Sequence, residues 1–392
     1  MEVGNDSLQS QIVLAEYRVS GIARQYVHTS FLWCNPQHAG CRDGRQYAGA
    51  VAISFTQSDA SDVTSASASL AQCALSGAGT NKEVRVKSDV LVVGAGPAGL
   101  ATAIAVARKG LRVTVTDVRR PPINKPCGEG LLPKAVEALS SLGIELNSNL
   151  SFPLEGFRFA DRTHSAIGAI VRGSAFGVRR TVLHELMVAR ASEVGVDFRW
   201  GARVSDFQAG AARVDGEVVH FDWLVGADGQ NSSVRKWANL ANLLLGRKRF
   251  GFRKHFLIPP WSRFVEVHWG ERCQMVVTPT RVNEVCVSFF TSDPNLRIDD
   301  ALPQFPEIAR HLEWAGVITP EQGTTVGLMS ARRAVSGRVA LVGDASCSVD
   351  GIAGHGLSLG CKRRSILPRL SPLGIFDCMS RLIGRSQAFR RG

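Results

Sequence analysis

The chain has 392 residues, is 45% hydrophobic, and carries 46 Lys/Arg against 34 Asp/Glu for a net charge of +12. That length leaves room for two domains or one large one with a sizeable core. No apolar run reaches the roughly 18 residues of a membrane span, and the N-terminus lacks the basic-then-apolar layout of a secretory signal. Nine scattered cysteines without a C-x-x-C pair point away from a zinc site, and no metal site is expected. A reducing, cytoplasmic setting is the expectation.

Residues 1–85 hold six basic and seven acidic side chains and lack sustained periodicity. The stretch "SDASDVTSASASLAQCALSGAGTN" is Ser/Ala-rich and of low complexity. The segment reads as a disordered or non-native N-terminal extension. Residues 361–392 hold eight basic side chains and one acid, which leaves +6 for the stretch between. That distribution is not the footprint of a nucleic-acid binder; a modestly positive body suits an anionic ligand as well.

The folded body begins with "DVLVVGAGPAGLATA", Asp89 to Ala103. Val90 to Val93 is a short, apolar, largely β-branched run, as expected of a strand buried on both faces. Leu100 to Lys109 reads as a helix, and Leu111 to Val115 as a second strand. Between strand and helix stand Gly94, Gly96, Pro97, Ala98 and Gly99. A glycine turn lets the backbone approach a phosphate, and the new helix offers unpaired N–H groups and the positive end of its dipole. Asp117 follows 23 positions after Gly94, near the spacing at which a carboxylate meets a ribose hydroxyl. The β-α-β context and the acid together predict a dinucleotide site.

Further helices are expected at Pro133 to Leu142 and from about Thr181 to Val194. Residues 196–229 read as several strands with turn glycines at 201, 210 and 216. Residues 249–292 are rich in short strand patterns such as "FVEVHWG" and "EVCVSFF", which suggests a mainly antiparallel sheet inserted into an α/β unit. Its Trp and Phe residues read as sheet core with a few roofing a pocket. Two more constellations end strands: Asp228-Gly229 with Ser232 and Arg235, and Gly343-Asp344 followed by Gly354-His355-Gly356-Leu357. Singly, each is a turn. In this order with the glycine loop they form a specific set.

That set, G-x-G-x-x-G, D-G-x-x-S-x-V-R, then G-D and G-x-G-L, resembles the FAD-dependent monooxygenases of the p-hydroxybenzoate hydroxylase fold. "NKPCGEGLLPKAVEALSSLGI", "VRRTVLHELM" and "RFGFRKHF" resemble its branch that includes geranylgeranyl reductases. The resemblance spans about residues 87 to 360. It implies a Rossmann-like FAD-binding domain, from about 86–175, 180–240 and 330–360, carrying a substrate-domain sheet from about 150–180 and 245–330. By the same resemblance FAD sits on Gly94, Gly96 and Gly99, Asp117 holds its ribose, and Arg179 or Arg180 lies nearby. Asp228 and Gly229 support FAD, Gly343 and Asp344 meet the pyrophosphate–ribityl stretch, and Gly354, His355, Gly356 and Leu357 face the isoalloxazine.

Cys127, in "KPCGEG", is implied to line the reacting pocket, with an inert loop cysteine as the competing reading. His355 either adjusts the flavin or faces solvent. The implied activity is NAD(P)H-dependent oxidoreduction: hydroxylation of a small apolar molecule first, reduction of a prenyl-type double bond second. A FAD-binding remnant without turnover is a third reading, because Cys361-Lys362-Arg363-Arg364 departs from the long helix the resemblance implies and reads as a truncated or altered end. The basic tail also offers peripheral contact with an anionic membrane surface.

Overall fold

The computed structural model describes residues 87–208, 210–241, 243–348 and 351. The expectations for 1–85, for Gly354, His355, Gly356 and Leu357, and for the tail lie outside the described residues. Among the described residues no helix is long and apolar enough to cross a membrane.

Two eight-stranded sheets and a small three-stranded one organise the described residues. In the first sheet five strands run parallel in the order Val339–Leu341, Glu217–Gly226, Lys87–Val93, Val113–Asp117, Asp197–Trp200. Val90, Leu91 and Val92 are fully buried because helices and loops cover both faces, the usual fate of parallel strands. The helix Pro97–Ala107 packs on this sheet through Leu100, Ala103, Ile104 and Val106. It starts three residues before the sequence pattern suggests. Proline at its first position has the dihedral a helix needs and lacks only an N–H that would be unpaired there. The other expected helices form over Pro133–Ser141 and Arg180–Glu193.

The second sheet runs Cys347–Ser348, Gly316–Ala331, Leu243–Leu257, Glu284–Thr291, Cys273–Arg281, Phe264–Gly270, Gly156–Ala160, Ser165–Ala169. It is antiparallel except where Phe264–Gly270 pairs in parallel with Gly156–Ala160. Side chains alternate across it, as the pleat requires. Phe252, Phe256, Met275, Val277, Val287 and Phe289 form one face and pack on Ile298 and Ile308 of two short helices. Arg253, His255, Thr278, Glu284, Cys286 and Ser288 alternate with them on the other face. The stretch about 150–180, expected to contribute to this sheet, divides. Gly156–Ala160 and Ser165–Ala169 join it, while Phe152–Leu154 and Ala175–Gly177 pair with Gly130–Leu131 in the three-stranded sheet.

Candidate functional site

The motifs separated in sequence leave from neighbouring strand ends. Val93 pairs with Gly226, and Gly226 with Leu341, so the three loops that follow emerge side by side at the carboxyl edge of the parallel sheet. That edge is where open α/β sheets bind ligands. Gly94 has φ +106°, and a Cβ there would lie 2.4 Å from the Ala227 carbonyl oxygen. A Cβ on Gly99 would lie 1.9 Å from the Gly94 carbonyl oxygen. Both positions are closed to any side chain. Gly96 differs: its added Cβ meets nothing within 4 Å. Its backbone faces open space at the helix start, where a pyrophosphate needs to approach the N–H groups. The cradle therefore fits a dinucleotide.

Asp117 ends the second parallel strand and is buried. Its carboxylate accepts N–H bonds from Ala95 (2.9 Å) and Arg119 (2.9 Å), so it holds the glycine loop in place and retains acceptor capacity for a ribose diol. Below the loop, His184 is fully buried and donates from Nε2 to the Ala95 carbonyl (3.0 Å), while Nδ1 accepts from the Ile123 N–H (3.4 Å). Burial, reinforced by the Arg180 charge, pushes its pKa down to about 4. Gly343, at φ +57°, packs against Ala98 of the first helical turn, because a Cβ there would sit 2.6 Å from the Ala98 Cβ. This brings Asp344 beside the glycine loop, where it pairs with Lys125 at 3.1 Å.

Two expected cofactor contacts have other partners. The Asp228 carboxylate accepts from Ser232 Oγ, Ser233 N and Val234 N, and so caps the short helix Ser233–Trp237; its acceptors are taken by orphan donors of the helix start. Arg179 turns to the second sheet and forms a bidentate pair with Glu284 (2.8 and 3.1 Å). Arg180 is buried near Cys127 and Glu129, and burial lowers its pKa.

The Cys127 loop lies on the polar face of the second sheet. Its Cys127 carbonyl accepts from Ser288 Oγ (3.4 Å) and, weakly, from Cys286 Sγ (3.7 Å). The half-buried Cys127 thiol is pushed up by desolvation. Next to it Glu129 adopts φ +58°, a conformation that disfavours side chains, and its carboxylate is fully enclosed. Oε1 accepts from the Arg180 N–H (2.9 Å) and from Arg253 Nη1 (3.2 Å); Oε2 accepts from His255 Nε2 (2.8 Å). Thr319 Oγ1 accepts the His255 backbone N–H (3.2 Å) and lies 2.9 Å from the ring Nδ1. Arg253 Nη2 reaches Asn124 (3.0 Å) and Gln322 (2.7 Å). Glu129 thus ties the loop to the start of a helix and to the middle of the second sheet.

Glu129, Arg253, His255 and Glu284 are not among the residues the sequence motifs single out. A signal was present: Arg253 and His255 alternate with Phe252 and Phe256, the mark of a strand with one polar face. Glu129, His255 and Cys286 also place ligand atoms within 4.8 Å of one another, but Arg253 already occupies Glu129 and disfavours a metal cation there.

Fold and site together define a dinucleotide-binding α/β unit joined to a large sheet, the architecture of flavin-dependent monooxygenases and halogenases. Residues 87–270 match the family model of the FAD binding domain. The menaquinone reductase of Mycolicibacterium smegmatis is 28% identical over 326 residues, 74% of this chain and 78% of that one. The ubiquinone hydroxylase of Rhodospirillum rubrum is 25% identical over 346 residues, 78% of each. The rifampicin monooxygenase of Rhodococcus hoagii is 33% identical over 159 residues, 38% of this chain and 33% of that one. Among solved structures, the flavin-dependent brominase Bmp2 superposes with a TM-score of 0.63 at 20% identity, over 70% of this chain and 75% of that one. Residues 87–270 are thus similar to an FAD binding domain, and the proteins the chain resembles are by name a reductase, a hydroxylase and a monooxygenase.

Proposed function

We propose that the protein is an FAD-dependent oxidoreductase that draws electrons from NAD(P)H and acts on a small, largely apolar molecule. The observation that carries this is the shared strand edge, where Gly94, Gly96, Asp117 and Asp344 lie around one helix start. FAD, when bound, would supply the hydride and oxygen chemistry. The chain's own residues do the holding. The turn Gly94–Gly99 would take the pyrophosphate, Asp117 the ribose, and Asp344 with Lys125 the ribityl side. Cys127 and its loop would wall the reacting side, held there by Glu129. Arg179 and Asp228 are read as structural, on the partners described above.

Hydroxylation with O₂ is the leading reading, in keeping with the monooxygenases among the relatives. Reduction is the second, and the broad likeness to a menaquinone reductase together with the "KPCGEG" loop favours it. Two of these relatives act, by name, on quinones, which makes a quinone-type ring the first substrate to try. Purified protein should be yellow and release FAD on denaturation. NADPH oxidation that stimulates oxygen uptake with substrate supports hydroxylation; turnover under anaerobic conditions supports reduction. Colourless protein that takes up no added FAD would end the proposal.

A further inference from the structure

The end of the second sheet next to the Cys127 loop is an exposed apolar rim. Two uncharged stretches form it: Leu257-Ile258-Pro259-Pro260-Trp261 and Trp314-Ala315-Gly316-Val317-Ile318-Thr319-Pro320. The strand register lays them together, with Phe256 opposite Val317 and Leu257 opposite Gly316. Leu257 also faces Glu284 across the next strand, which brings in the hairpin tip at Val282. The side chains that project here are large and open to solvent: Trp314 is 90% exposed, Val282 74%, Val317 57% and Leu257 55%. Scattered surface apolar residues need no explanation. Several on one rim, with a nearly bare tryptophan, mark an interaction surface.

We propose that this rim docks on a lipid bilayer. Three features select that partner. Tryptophan with branched aliphatic side chains suits the boundary between head groups and acyl chains. Exposed Arg281 and Arg310 flank the rim beside Val282 and Trp314, which complements anionic head groups, with exposed Glu313 as an opposing charge. The rim also adjoins the chemistry: Leu257 is two residues beyond His255, about 7 Å along the strand, and Glu284 pairs with Arg179 behind it. A lipid-soluble substrate could pass from the bilayer to the Cys127 loop without crossing water. This last step rests on the proposed function; the docking itself does not.

Flotation of the full chain with vesicles tests it. The protein should rise with vesicles of phosphatidylcholine mixed with phosphatidylglycerol, less with phosphatidylcholine alone, and less at high salt. A brominated lipid should quench emission, and Trp314→Phe should remove that part of the quenching. Trp314→Ser with Leu257→Ser should cut vesicle binding by about tenfold or more while leaving flavin content and turnover of a short-chain soluble quinone unchanged. Failure of the wild type to float overturns docking. So does undiminished flotation of the double variant, which would assign binding to the basic tail. So does a concentration-dependent dimer abolished by the same substitutions, or a Trp314 shielded from aqueous quencher without vesicles, which would put a second copy or the chain's own terminal segments on the rim. Loss of FAD or of soluble turnover in the wild type would instead count against the proposed function and leave the vesicle result to be judged alone.

Discussion

The two large sheets use burial in opposite ways. Around Lys87–Val93 both faces are closed by apolar side chains, and position is fixed by close approach: Gly99 against Gly94, Gly343 against Ala98. In the second sheet one face is apolar and the opposite face is mixed, with an apolar cluster around Val265, Val276 and Phe290 beside polar side chains. The other carries buried ions whose placement is fixed by direction: Glu129 to Arg253 and His255, Arg179 to Glu284. Apolar burial is non-directional and makes a scaffold. Buried charges are costly unless each is paired with good geometry, so they specify where a loop lies more than they stabilise it. The proposed phosphate cradle sits on the first kind of structure and the proposed reacting wall on the second.

Substitutions should separate the two kinds. Gly99→Val gives the largest effect. Its Cβ would overlap the Gly94 carbonyl, so the cradle must open; soluble protein should be lost or should retain no FAD, read from flavin absorbance per chain. Gly96→Ala sharpens the contrast, because nothing crowds that Cβ. The melting temperature should hold while FAD affinity falls, and equal loss of both would refute the assignment of open space to the cofactor.

On the polar face, Glu129→Ala strands Arg253 and should destabilise by about 3–5 kcal/mol in denaturant titrations. A value near that of an exposed pair would mean that the enclosed network is not the constraint described.

Acid comes next. His184 titrates at about 4 when folded, below its ordinary value near 6.5. The unfolded chain therefore binds a proton first as pH falls, and stability is lost progressively between about 6.5 and 4. Melting temperature across that range should fall more in the wild type than in His184→Gln, whose group does not titrate.

The smallest effect is Asp228→Ala. Loss of the cap should lower stability by about 1 kcal/mol and leave FAD content unchanged. A drop in flavin content would return Asp228 to the cofactor site.

A second acid-sensitive point lies in the second sheet. Burial alone would raise the Glu266 carboxyl, but hydrogen bonds from His268 and Ser262 outweigh it and hold it at about 2. That contribution is present above the ordinary carboxylate range near 4.3 and fades as pH falls toward 2, below the window in which His184 acts.

The sequence alone determined the parts that depend on neighbours in the chain. The apolar run Val90–Val93, the glycines after it and Asp117 are local signals, because a tight turn and a helix start are set within a few residues. Their order along the chain carried the resemblance to FAD-dependent enzymes. Tertiary structure decided what each charged side chain does. Arg179 and Asp228 read in sequence as residues near the cofactor; the fold gives them Glu284 and Ser233 as partners. Glu129, Arg253 and His255 are separated by more than a hundred residues from loop to strand and met only when the second sheet folded over the loop. A buried charge takes whichever partner the packing presents, and packing is a property of the whole chain.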